Sequence, residues 1–115
     1  MKHLSDMEFV AIGDDEPAAT EEEVEGWLEQ LPGWQVLERD GTLQLGRAFE
    51  FGNFAQALGF TNRVGQLAEE VNHHPTLVTE WGKTAVTWWT HSVGGLHRND
   101  FVMAAKTDEL YKEQV

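Results

Sequence analysis

The chain has 115 residues, 41% of them apolar, which is enough to close one hydrophobic core but not two. It contains no cysteine, so disulfides, thiolate nucleophiles, iron–sulfur clusters and cysteine-ligated zinc are excluded. Its formal charge of −12, from 20 acidic against 8 basic side chains, opposes direct binding to nucleic-acid backbones or to anionic membranes.

No stretch reaches the ~18 consecutive apolar residues of a membrane span, and the start of the chain lacks the pattern of a signal peptide, so a cytoplasmic protein is expected. Ten of the acids fall within residues 1–30, where only Lys2 offsets them. Residues 1–19 show no sustained period, and Gly13-Asp14-Asp15-Glu16-Pro17 is rich in turn formers. A flexible acidic arm over 1–19 and a single domain over 20–115 are therefore predicted.

Thr20 and Glu23 have the spacing of a capping box, and Val24, Trp27, Leu28 and Leu31 repeat at helical intervals. Pro32-Gly33 closes that helix. From Thr42 to Phe51 the period becomes two, with Leu43, Leu45, Arg47, Phe49 and Phe51 on one set of positions. Asp40-Gly41 separates this strand from Trp34–Arg39, and Asp-Gly suits the positive φ angles of a two-residue hairpin turn.

Asn53 can cap a second helix with an apolar stripe of Phe54, Ala57, Leu58, Thr61, Val64, Leu67 and Ala68. The helix should stop near Val71, because Pro75 biases His74 away from helical angles. A second hairpin follows, Thr76–Trp81 and Thr84–His91 around Gly82-Lys83, then a loop at Val93-Gly94-Gly95-Leu96 and a closing helix over Phe101–Tyr111. The order αββαββα predicts an α+β fold, a four-stranded antiparallel sheet with helices packed on one face.

Three of the five histidines fall where these elements meet. His73 and His74 lie at a helix-to-strand junction and His91 at the end of a strand in the next hairpin. Neighbouring residues of extended backbone point to opposite sides, so His73 and His74 need not share a role. Imidazoles titrate near neutral pH, and two or three around one pocket suit acid–base chemistry without a cofactor. Asp100 can orient a histidine tautomer, or serve simply as a first-turn acid that favours the helix dipole. The five tryptophans read as core or interface residues, with room for one that stacks on a ligand ring. His3 and His97 read as surface residues.

Taken together, Glu69-Glu70-Val71-Asn72-His73-His74-Pro75, Trp81, Thr90-His91, Gly94-Gly95-Leu96 and Asp100-Phe101 resemble the pattern of the pterin-4a-carbinolamine dehydratases. The likeness runs from about Trp27 to Tyr111 and includes a Pro-Gly-Trp before the first hairpin. It implies dehydration of 4a-hydroxytetrahydrobiopterin to quinonoid dihydrobiopterin and water, in tetrahydrobiopterin recycling, with no metal or organic cofactor. Carried over by position, His73 and His91 would be the acid–base pair, with His74 assisting and Asp100 supporting the site. Glu69, Asn72, Trp89, Thr90, Ser92 and Trp34 would contact the pterin.

The resemblance also implies a homodimer or homotetramer and a functional link to an aromatic amino-acid hydroxylase. Two departures stand out: Trp89 replaces a residue commonly small and polar in the animal enzymes, and His97 stands where many members have a capping Thr. Two other readings remain open. One is a protein-binding dimerisation cofactor or transcriptional coactivator without essential catalysis; the other is a three-imidazole zinc site, which adjacent His-His makes awkward.

Overall fold

Thr20 Oγ1 accepts from Glu23 N–H while the Glu23 carboxylate accepts from Thr20 N–H, closing the capping box that starts α1, Glu21–Leu28. The chain then enters β1, Gln35–Arg39, and turns at Asp40 (φ 52°) and Gly41 (φ +80°) into β2, Thr42–Glu50. Both central residues of that turn are left-handed, as a type I′ hairpin requires, and only Asp, Asn or Gly adopts this readily. In this computed structural model, residues 3–13 and 16–113 are described.

Helix α2, Phe54–Val71, begins at Asn53, whose side chain accepts from Gln56 N–H at 2.8 Å. It ends where Asn72 turns left-handed (φ 54°), and His73-His74-Pro75 lead outside any helix or strand into β3, Thr76–Glu80. Strand β4, Lys83–Trp88, returns through Trp81-Gly82, where Gly82 has φ +77° and an added Cβ would sit 3.2 Å from the Phe51 carbonyl. The last helix, α3, spans Arg98–Lys112.

The four strands form one antiparallel sheet in the order β1-β2-β4-β3. The predicted α+β architecture is therefore the observed one. Register places Leu45 opposite Trp88, Arg47 opposite Val86 and Phe49 opposite Thr84 on the face that the helices cover. Phe60, Val64 and Ala68 of α2 and Phe101, Val102 and Ala104 of α3 complete the core with Leu31 and Trp34.

Four expectations need correcting. Within α2 the buried stripe is Ala57, Phe60, Val64 and Ala68, while Phe54 and Leu58 remain exposed, because the helix is rotated to seat Phe60 between Phe49 and Phe51. The strand expected to reach His91 stops at Trp88, and His91–Val93 is a 3-10 turn closed by Thr90 pairing with Gly95. Helix α3 starts three residues earlier than expected, since His97 does cap it: its Nδ1 accepts from Asn99 N–H at 3.0 Å.

The fourth concerns the N-terminal segment, whose described residues, 3–13 and 16–19, include several that pack on or hydrogen-bond to the domain. Leu4 is fully buried in a 3-10 turn, Leu4–Asp6, that packs against α3, and its N–H donates to Gln30. Too short and irregular for a period, such a segment is legible only from the groove it fills. Asp14 and Asp15, the centre of the acidic run, lie outside the described residues.

Asp108 of α3 fastens the first hairpin to this framework, accepting from Trp34 Nε1–H at 2.9 Å and from Arg47 at 2.7 Å. Burial pushes its carboxyl above the ordinary value of 3.8, against the pull of Trp34 and Arg47. Asp108→Ala is expected to cost about 2–3 kcal/mol, because it strands both donors, whereas Asp108→Asn keeps an acceptor and should cost less than about 1 kcal/mol. A raised acid holds its proton longer when folded, so its stabilisation declines as pH rises through the window just above 3.8. Urea melts across that window check both points: Asp108→Asn should lack this slope.

Candidate active site

The end of α2, the end of β4 and the start of α3 meet at one corner of the sheet. There Val71, Asn72, His73, Thr90, His91 and Ser92 line a cleft of about 420 Å³, together with Phe9 and Ile12 from the N-terminal segment. The left-handed turn at Asn72 is what aims His73 inward. Its ring stacks on Trp88, with centroids 5.7 Å apart and planes 13° apart, and meets the Phe9 ring at 5.4 Å on a tilt.

His73 Nε2 lies 2.8 Å from Asp100 Oδ1. Asp100 is fully buried, and its other oxygen accepts from Thr90 Oγ1–H at 2.8 Å and His97 N–H at 2.9 Å. A carboxylate already accepting from two donors is an acceptor toward the third, so His73 donates through Nε2–H and keeps Nδ1 as its free acceptor. The side chain of His73 is only 11% exposed, which holds the ring in one orientation. His91, in the 3-10 turn, is exposed, and its ring packs 5.8 Å from Trp89.

The expected site residues therefore separate into groups. His73, His91, Asn72, Thr90 and Ser92 converge on the cleft, with Asp100 directly behind His73 and Trp89 beside His91. His74 points away, pairing with Glu69 on the surface, and neither lines the cleft. Trp34 is a correction: it is 5% exposed, packs against Phe49 and is held by Asp108 in the core, so it is not available to a ligand in this cleft. Among the described residues, no three His, Cys, Asp or Glu side chains gather as a metal-binding group.

Sequence reasoning missed Phe9, Ile12, Val71 and the role of His97. Only Val71 carried a signal, its place beside Asn72 and His73. His97 is 7% exposed, not on the surface, and its Nε2 pairs with Glu16. With Nδ1 accepting from Asn99, the ring proton is placed on Nε2, and that hydrogen bond holds the Glu16 carboxyl below its ordinary range.

Residues 17–110 match the family model described as pterin 4 alpha carbinolamine dehydratase. The chain belongs to that family. It is 50% identical to a protein of Nitrosococcus oceani, over 97% of this chain and 99% of the relative, and 51% identical to one of Marinobacter nauticus, over 96% and 100%. Both carry the name "Putative pterin-4-alpha-carbinolamine dehydratase". Among solved structures it resembles a transcriptional coactivator/pterin dehydratase from Brucella melitensis, with a TM-score of 0.73 and 34% identity over 81% of this chain and 97% of that one. A pterin dehydratase-like protein identified as a RuBisCO assembly factor in the alpha-carboxysome shares the fold, with a TM-score of 0.58 and 22% identity over 69% and 89%. The matched residues include His73, His91 and Asp100. No helix among the described residues is long and apolar enough to cross a membrane.

Proposed function

We propose that the protein dehydrates 4a-hydroxytetrahydrobiopterin to quinonoid dihydrobiopterin and water by histidine acid–base catalysis. The observation that carries this reading is the convergence of His73 and His91 on one cleft, with Asp100 fixing the tautomer of His73. The substrate is a carbinolamine: a hydroxyl and a nitrogen share one carbon. Loss of water forms a C=N bond, breaks the C–O bond, removes the proton on nitrogen and adds a proton to the departing hydroxyl. The nitrogen lone pair supplies the electrons, so the chemistry needs a base and an acid but no metal or organic cofactor.

His73 suits the base. Its Nδ1 is the free acceptor, and the imidazolium formed on taking a proton is stabilised by the buried Asp100 carboxylate. His91, exposed to water and able to recharge from it, suits the acid that protonates the hydroxyl. Asn72, Thr90 and Ser92 offer polar groups along the ring edge, and Trp89 stands beside His91. Glu69 and His74, paired outside the cleft, would act on substrate entry or on the charge near the mouth. The product would return to tetrahydrobiopterin recycling beside an aromatic amino-acid hydroxylase. A homodimer or homotetramer is part of this reading, and the exposed apolar Phe54, Leu58, Val78 and Trp81 are surfaces it would cover.

The test is the rate at which enzymatically generated 4a-hydroxytetrahydropterin loses water, followed by ultraviolet absorbance, with purified protein against buffer. Acceleration in proportion to protein concentration is expected. A folded protein that leaves the rate at the buffer value sinks the catalytic reading in favour of a protein-binding, coactivator-type role.

A further inference from the structure

The segment Met7–Gly13 runs along the cleft, lining it with Phe9 and Ile12, and Leu96, His97 and the first two residues of α3 hold this N-terminal stretch. Arg98 reaches Met7 Sδ at 3.4 Å and donates to the Glu8 carbonyl at 3.0 Å. Asn99 is fully buried and grips Val10 twice, accepting from its N–H at 3.1 Å and donating to its carbonyl at 2.7 Å. Further along, Glu16 pairs with His97, and Ala19 N–H donates to the Leu96 carbonyl at 2.7 Å. Residues 89 positions apart in sequence are thus joined by a side-chain amide that pairs with a backbone N–H and carbonyl.

What this strap presents to the cleft is apolar. Phe9 and Ile12 are both half-buried, and Phe9 sits against His73. The other side of the cleft is polar, with Asn72, Thr90, His91 and Ser92. A pocket with one apolar wall and one polar rim suits a flat heteroaromatic ring that stacks by its face and is read along its edge. The first turn of α3 carries both Asn99, which grips the strap, and Asp100, the partner of His73, so wall and catalytic base hang from one anchor.

We propose that Phe9 and Ile12 form the ring-binding wall of the active site and that Asn99 is the positioning residue that sets this wall. This rests on the dehydratase reading, deepens it, and gives the N-terminal segment a part in substrate affinity. Phe9 and Ile12 contact the ring, while Asn99 acts only through the strap.

Steady-state kinetics and fluorescence titration with oxidised biopterin, a non-reacting probe, test this on the full chain. Phe9→Ala is expected to raise KM and the biopterin Kd by about 10-fold, the value of one aromatic contact, with a far smaller change in kcat. Ile12→Ala should act in the same direction, and Phe9→Leu should recover part of the loss. Asn99→Ala should also raise KM, and the double variant Phe9→Ala/Asn99→Ala should be little worse than Phe9→Ala alone, because both remove one wall. Melting curves for each variant separate a lost wall from a lost fold, and Phe9→Leu keeps the test alive should Phe9→Ala unfold.

If wild type binds biopterin and turns over while Phe9→Ala and Ile12→Ala match it in Kd and KM, the wall is overturned. Additive effects in the double variant would overturn the role of Asn99. A wild type that neither binds biopterin nor accelerates dehydration would bring down the dehydratase reading itself, and this inference with it.

Discussion

His73→Ala and His91→Ala are each expected to slow dehydration of 4a-hydroxytetrahydropterin by ~100-fold or more in kcat, the usual loss when a general acid or base is removed. The expectation follows from position. Both rings line one cleft, His73 held between Trp88 and Phe9 and tethered to Asp100, His91 on the facing 3-10 turn. If they divide the proton transfers, the double variant should be only modestly slower than either single one, since a base without its acid has little left to lose. His74→Ala should lose much less, because its side chain is 54% exposed and bonded to Glu69 outside the cleft. Stopped-flow absorbance on variants with unchanged near-ultraviolet dichroism measures all of these. A His74→Ala loss equal to that of His73→Ala would show that the wrong histidine of the pair has been placed at the reaction.

Asp100→Asn is the second large effect, a fall of about 10²–10⁴ in kcat, as when the carboxylate orienting a catalytic histidine is neutralised. Asp100 answers three donors: His73 Nε2–H, Thr90 Oγ1–H and His97 N–H. An amide has one acceptor oxygen, so one side of the residue must become a donor. If the NH₂ faces His73, the imidazole is forced to carry its proton on Nδ1, and the free acceptor in the cleft is lost. If it faces Thr90 and His97, two donors meet a donor at the first turn of α3. The variant should also lose about 1–3 kcal/mol of stability, the cost of a buried unsatisfied polar group. Stability loss alone cannot mimic the first effect. A kcat near wild type would remove Asp100 from the mechanism.

Much of this architecture was legible before any coordinates. Thr20-x-x-Glu23, Asp40-Gly41, Asn53 and Pro75 each act within a few residues, through a cap, a turn or a steric clash, so their consequences can be read locally. The alternation of Leu43 to Phe51 and the 3.6-residue stripe of α2 likewise set element types. The spacing of His73, His91 and Asp100 across a helix end, a strand end and a helix start was enough to suggest one site.

Other features depend on which surfaces meet, and no local pattern encodes that. His73 and His74 are chemically identical neighbours; the left-handed Asn72 and the stack on Trp88 put one inside and leave the other outside. Trp34 could as well have faced a ligand as the core, until Asp108 of a distant helix claimed its N–H. His97 read as a surface residue in the place of a capping Thr, yet its imidazole nitrogen does the work of a hydroxyl because Glu16 fixes the proton on the other nitrogen. The strap at Phe9 is the clearest case. Residues without periodicity gain their place through hydrogen bonds to the first turn of α3, 89 positions away, and through packing against the core. Sequence alone determined the secondary elements and the reactive groups, because these follow from short-range backbone and side-chain chemistry. The tertiary structure decided which of those groups share a cleft and what walls it, because that depends on long-range packing.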